Sequence, residues 1–177
     1  MNDLEIRIAG TEYSLKYKSY EIYIQGCNRG CVGCHNPEAQ PFNGGELVYM
    51  PTYFAEQEFK VKEFGNLVER VYITGGDLLC QPREKAIMCS KIARSCFRDK
   101  ELWLFTGASK GDIPREILSY YDVIKCGDYQ EKLKQEGFPA SRNQELIVAR
   151  GTPTFVNLLE TFKGRVNVMY EEGINEI

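Results

Sequence analysis

Three cysteines, Cys27, Cys31 and Cys34, share one short stretch, Gly26-Cys-Asn-Arg-Gly-Cys-Val-Gly-Cys-His-Asn-Pro37, with the spacing C-x3-C-x2-C. Three thiolates on a tight loop can ligate three irons of a [4Fe–4S] cluster and leave the fourth iron without a protein ligand. An open iron is a site for chemistry. Electron-carrying ferredoxins use four cysteines per cluster and structural zinc sites fill four positions, so a closed site needs a fourth ligand. His35, the single histidine of the chain, is the nearby candidate. A zinc site and a redox-active thiol pair are the alternative readings of the same cysteines.

The remaining composition bounds what surrounds this loop. A complete eight-fold β/α barrel takes about 250 residues, and this chain has 177, of which 43% are hydrophobic. One domain spanning residues 1–177 is expected, and any barrel should be partial. The net charge is -3 and no run of Lys or Arg stands out, which argues against a nucleic-acid partner bound through its phosphates. The opening Met1 to Ile6 lacks a basic start and an apolar core, and no apolar run is long enough to span a membrane. The expected location is the cytoplasm, where seven cysteines point to metal ligation or buried thiols rather than disulfides.

Apolar, β-branched runs recur at Tyr20 to Gln25, Arg70 to Thr74, Leu102 to Thr106, Tyr121 to Cys126, Glu145 to Ala149 and Arg165 to Tyr170. Helix-period segments lie between several of them. One runs from Pro82 to about Phe97, with Ala86, Cys89, Ala93, Cys96 and Phe97 on one face; a shorter one covers Ile113 to Tyr120, with Asp112 as its cap; a third starts at Met50 and reaches Glu58. Strands alternating with helices imply a parallel sheet built by right-handed crossovers, with the site on the loops at the C-terminal ends of the strands. The cysteine loop, the Gly75-Gly76 turn and Thr106-Gly107 each follow a strand. Cys89 and Cys96 belong to an apolar stripe and read as core. Cys80 and Cys126 lie near loops after strands and could approach the active-site face, with a bystander role the preferred reading.

Thr74-Gly-Gly-Asp-Leu-Leu79 is the second informative sequence. Two glycines let backbone approach a ligand closely, and carbonyls exposed there accept hydrogen bonds from a cationic amine, with Asp77 as an anionic acceptor for the same group. Taken alone, Gly-Gly-Asp is a common turn.

With both motifs placed, the chain resembles the radical S-adenosylmethionine (SAM) superfamily, in which the methionine part of SAM chelates the unique iron. The Gly75, Gly76 and Asp77 turn is similar to the superfamily's glycine-rich segment that holds the SAM amino group. Within the superfamily the chain resembles the activating proteins of anaerobic ribonucleoside-triphosphate reductases. Ile6-Arg-Ile-Ala-Gly10 looks like that family's opening strand, Gln25 to Pro37 its cluster loop, Leu104-Phe-Thr-Gly107 its third strand and turn. Asp122 to Ile124 with Gly127-Asp-Tyr129, and Ser141-Arg-Asn-Gln144, are similar to later segments of the family. Thr11 to Ser19 stands where the family usually carries an Asp-Gly-Pro-Gly-like turn, Gly33 where many members have an aromatic near the adenine, and Ala108 where tyrosine is frequent.

The resemblance implies an α/β fold of the radical SAM type, a partial (β/α) barrel with a mostly parallel sheet and the cluster at the C-terminal ends of the strands. It implies Cys27, Cys31 and Cys34 as metal ligands and Gly33, His35, Asn36, Gly75, Gly76 and Asp77 around the cofactor; for His35 a plain loop position is the alternative. The implied activity is reductive cleavage of SAM and generation of a glycyl radical on a large partner enzyme, with a flavodoxin or ferredoxin supplying the electron. A small-molecule radical SAM enzyme and a non-catalytic iron–sulfur electron-transfer module remain the alternatives.

Overall fold

The structure, a computed structural model, describes residues 3–152, 161–170 and 173–176. The strand elements are β1 (Glu5–Ser14), β2 (Ser19–Ile24), β3 (Glu46–Tyr49), β4 (Arg70–Gly75), β5 (Glu101–Phe105), β6 (Val123–Cys126), β7 (Glu145–Ala149), β8 (Arg165–Tyr170) and β9 (Gly173–Glu176); the helices are α1 (Met50–Phe64), α2 (Arg83–Cys96) and α3 (Arg115–Leu118). The strands form one sheet in the order β3-β1-β2-β4-β5-β6-β7-β8-β9. The α/β class is as expected. The sheet, however, is mixed rather than mostly parallel, and it is open: the described strands end at β3 on one edge and β9 on the other. Parallel pairing joins β2 to β4, β4 to β5, β5 to β6 and β7 to β8, whereas β1 meets both its neighbours, β7 meets β6 and β9 meets β8 antiparallel.

Alternation along the strands divides the sheet into two faces. Ile22, Ile73, Leu104 and Ile124 share one register row across β2, β4, β5 and β6. With Ile24, Val71 and Leu102 they are fully or almost fully buried in the main core. Helices α1 and α2 complete that core and pack on each other. The buried positions of α1 are Met50, Phe54, Gln57 and Val61, spaced as one helical stripe; Pro51 opens the helix, where its missing N–H is harmless. In α2 the stripe is Ala86, Cys89, Ser90 and Ala93, and Phe97 just beyond its end meets Phe54 edge to face at 6.3 Å. Cys89 is thus core, as expected, and Cys96 packs at its margin.

The opposite face carries a smaller aromatic cluster of Trp103, Val123, Leu146, Val148 and Val166, flanked by Tyr72, Phe105, Phe138 and Phe162. Toward β2 this face turns polar with Glu21 and Tyr23, which sit in the rows of Tyr72 and Thr74.

Three local expectations change. Helix α1 continues past Glu58 to Phe64. The helix expected over Ile113 to Tyr120 contracts to α3, capped by Pro114, because Asp112 is taken up in a preceding 3-10 turn (Lys110–Asp112) and makes no cap bond. Thr11 to Ser14 extends β1, which then turns through Leu15 to Lys18 into β2 with Ser14 opposite Ser19. Since Ser19 starts β2 and Ile24 ends it at the cysteine loop, this hairpin tip lies at the end of the sheet away from the cysteines. Among the described residues no helix is long and apolar enough to cross a membrane.

Candidate functional site

The parallel strands β2, β4, β5 and β6 all end on one side, and the loops after them enclose a cavity of about 390 Å³. Cys27, Cys31, Cys34, His35 and Asn36 come from the loop after β2, Gly75, Gly76 and Asp77 from the end of β4, Thr106 and Gly107 from the loop after β5, and Lys125 and Tyr129 from β6 and its loop. All but one of the expected site residues therefore line one space. Gly33 is the exception: it is exposed, with φ +76, and its α-carbon faces Glu131 and Tyr129 rather than the cavity.

The cysteine loop is held by backbone and by one glutamine. Gly26 donates to the Ala39 carbonyl (2.7 Å) and Cys27 to that of Gln40 (2.9 Å). Buried Gln25 donates through Nε2 to the carbonyls of Glu38 (3.0 Å) and Pro41 (2.6 Å), closing the loop behind the cysteines. The loop is also joined to the Gly75–Asp77 turn: Asp77 N–H donates to the Gly26 carbonyl at 3.0 Å. A Cβ on Gly76 would stand 2.5 Å from that same carbonyl oxygen, and one on Gly75, whose φ is +99, would meet the Ile24 backbone at 2.8 Å. Both glycines are thus demanded by the close approach of the two loops.

Asp77 is buried and its carboxylate is heavily used. It pairs with Arg29, and it accepts from the Leu79 N–H (2.9 Å), the Thr106 hydroxyl (2.9 and 3.0 Å) and the Gly107 N–H (2.9 Å). One side chain from the end of β4 thereby ties the cysteine loop to the turn after β5. Asn36 reaches the Gly75 carbonyl at 3.4 Å. Exposed His35 rests against the Tyr129 ring, centroids 5.2 Å apart. The loop carrying Tyr129 is in turn braced by the Ser141 to Gln144 segment. Gln144 Nε2 donates to the Gly127 carbonyl (3.0 Å) and Asn143 Nδ2 to that of Asp128 (2.8 Å).

The three loop cysteines are free thiols, each partly exposed. Among the described residues no three His, Cys, Asp or Glu side chains stand close enough to share one metal ion. A closed zinc site needs four ligands on one ion, whereas a four-iron cluster places a different iron on each thiolate. Soft, unbridged thiolates on one loop beside a cavity of this size fit such a cluster. The N–H groups of Arg29 and Asn28 point at the sulfurs of Cys27 and Cys80, the kind of contact that tunes thiolate ligands.

Cys80 meets the cysteine loop, the approach to the site that its position after a strand allowed. Its sulfur accepts the Cys27 thiol hydrogen, which lowers the Cys80 pKa to about 7 and raises that of Cys27. Cys126 is a buried thiol on the helix-side face, pushed up to about 11 by burial. Arg29 and Lys125 were not singled out in the sequence. Only the strand register, which brings residues some fifty or a hundred positions apart together, reveals them.

Three free cysteines on one loop beside a cavity at parallel strand ends suit an iron–sulfur domain, and comparison with known proteins gives that class: residues 18–147 match the family described as a 4Fe-4S single cluster domain. The chain is also 33% identical over 133 residues to the anaerobic ribonucleoside-triphosphate reductase-activating protein of Enterobacteria phage T4, an alignment covering 71% of this chain and 80% of that protein. It belongs to the family of anaerobic ribonucleoside-triphosphate reductase-activating proteins.

Proposed function

We propose that the chain is a radical SAM activase that generates a glycyl radical on an anaerobic ribonucleotide reductase. The observation that carries this reading is the convergence of the three cysteines, the Gly75–Asp77 turn and Thr106-Gly107 on one cavity at adjacent strand ends. Cys27, Cys31 and Cys34 would hold the [4Fe–4S] cluster. The chemistry it would supply when bound is one-electron reductive cleavage of SAM, with a reduced flavodoxin or ferredoxin as the electron source and a glycine of the partner as the hydrogen source.

The chain's own residues bind and orient. Carbonyls of Gly75 and Gly76 would accept from the cofactor's amine, while Asp77, its oxygens filled by Arg29, Thr106, Gly107 and Leu79, holds the wall in shape. Asn36 steadies the Gly75 carbonyl, and His35 on Tyr129, with Gly33 beside it, closes the loop side. The polar, uncovered face around Glu21 and Tyr23 leaves room for a loop of a protein substrate, whose docking would exclude water.

The test is electron paramagnetic resonance on anaerobically reconstituted, reduced protein with and without SAM, alongside an assay of 5′-deoxyadenosine. A [4Fe–4S]+ signal that shifts with SAM, with nucleoside formed, is the expected result. A cluster blind to SAM would overturn the reading in favour of an electron-transfer module. Turnover without any protein partner would move it to a small-molecule enzyme.

A further inference from the structure

Alternation along β1 and β3 leaves one face of the sheet bare. Ile6 and Ile8 point into the main core, so their neighbours turn the other way, Arg7 opposite Leu47 and Glu5 opposite Tyr49. Leu47 and Tyr49 are 43% and 48% exposed. Past the bulge between Ile8 and Gly10, Gly10 stands opposite Tyr23 and Glu12 opposite Glu21. Tyr23 and Glu21 line the cavity, so the bare face of β3, β1 and β2 continues into it. Over β5 to β8 the same side of the sheet is closed by Phe138 and Phe162. None of the described segments covers Leu47, Tyr49 or Glu12, all of them exposed.

The charge of this face is unbalanced. Tyr23 Oη stands 2.8 Å from Glu21 Oε2 and 3.1 Å from Glu12 Oε2. Both contacts call on one hydroxyl hydrogen, which can serve only one of them at a time. The Ser19 hydroxyl serves the other oxygen of Glu21 at 2.9 Å, while Glu12 shares its one donor among the described residues. Neighbouring cations are committed elsewhere. Lys18 pairs with Glu69, and Arg70 with Glu69 and Glu101. Arg7 turns to the carbonyls of Gly44 and Gly45, at 3.3 and 3.2 Å. Two carboxylates therefore flank one phenol beside the cavity, next to a sheet edge with two exposed apolar side chains.

We propose that this face receives a segment of the glycyl-radical partner that presents a lysine or arginine to Glu12 and Glu21 and an apolar side chain to Leu47 and Tyr49. The inference rests on the function proposed above, which brings a protein rather than a small molecule to the cavity. A cationic side chain supplies the donors that Tyr23 cannot give twice. Its attraction to the carboxylates steers the partner's loop toward the cavity. Leu47 and Tyr49 belong to edge strand β3, so the same segment buries them without displacing any described element. Glu12, Leu47 and Tyr49 are docking residues with no part in SAM chemistry.

The measurement is binding of anaerobically reconstituted protein to the large subunit of the anaerobic ribonucleotide reductase from the same source, at low and at high salt. SAM cleavage by the chemically reduced protein is assayed alongside, without the reductase. The variants are Glu12→Lys, Glu12→Gln and Leu47→Ser. Glu12→Lys gives Glu21 an internal counter-ion, so the fold should keep its thermal stability. The expected result is an affinity for the reductase that falls roughly tenfold in Glu12→Lys and by less in Glu12→Gln, with a flatter salt dependence in both. Leu47→Ser should lower affinity equally at both salt concentrations, and SAM cleavage should stay at the wild-type level in all three. Unchanged affinity and salt dependence in Glu12→Lys, or a matching fall in its SAM cleavage, would overturn this inference and leave the proposed function standing. A wild type that cannot cleave SAM, or that cleaves it and does not bind the reductase, would overturn the proposed function and this inference with it.

Discussion

The two faces of the central strands are built from alternate residues of the same segments, yet they obey different rules. On the helix side Ile22, Ile73, Leu104 and Ile124 form a dry row under α1 and α2. On the cavity side the neighbouring residues are Glu21, Tyr23, Thr74, Phe105 and Lys125, with charge, hydroxyls and an aromatic ring around an open space. The first face contributes stability by removing area from water. The second keeps a charge without a partner among the described residues and glycines without side chains, features a purely structural sheet would not retain.

Cysteine replacement should separate the faces most sharply. Changing any of Cys27, Cys31 or Cys34 to alanine is expected to abolish SAM cleavage and deplete iron, while Cys126→Ala, on the helix side, keeps both; iron analysis and nucleoside assay decide, and a Cys31→Ala protein with full cleavage would refute the ligand assignment. Next in size is the core. Ile73→Ala should lower unfolding free energy by about 3 kcal/mol in denaturant titration, whereas Glu21→Gln, one strand away on the other face, should stay within about 0.5 kcal/mol.

At the seam, Asp77→Ala should cost roughly 2 kcal/mol by stranding the donors of Arg29, Thr106 and Gly107. Gly76→Ala should reduce iron content as well as SAM affinity, because its methyl would press on the Gly26 carbonyl; an unchanged iron content with weakened SAM binding would mean that the turn serves the ligand alone. The last effect is a slope, nil at neutral pH. Burial pushes the Cys89 thiol up to about 12 from 9. Above pH about 9 the unfolded chain loses this proton and the folded one keeps it, so the stabilisation is complete below that pH and is lost as pH climbs toward 12. Cys89→Ala should flatten the alkaline decline by at most about 1.4 kcal/mol per pH unit.

The helix-side face was the more legible in sequence. Apolar alternation located β4, β7 and β8 almost to the residue, because burial on one side imposes it. Strands β3 and β9 escaped notice: each has four residues at a sheet edge, and β3 leaves Glu46, Leu47 and Tyr49 exposed, so no burial pattern marks it. Exposed Phe59 likewise blurred the stripe that carries α1 on to Phe64. At the site, the cysteines and glycines were legible because spacing alone carries their chemistry. Asp77 was identified, but its saturation by Arg29, Thr106 and Gly107 was not, since pairings between distant loops follow from strand register and leave no local trace. Lys125 looked like one more strand residue.

The alignment of Ile24 with Gly75 across β2 and β4 sets the start of the cysteine loop level with the start of the glycine turn. Its consequence concerns insertions and deletions. One residue added within β2 would turn Ile22 toward the cavity and Glu21 toward the helices, and would lift the cysteines off their partner turn. Point changes around the cavity alter one wall at a time. A change of length in these strands dismantles both faces at once, so chains descended from this one can vary in the letters of β2 and β4 far more freely than in their number.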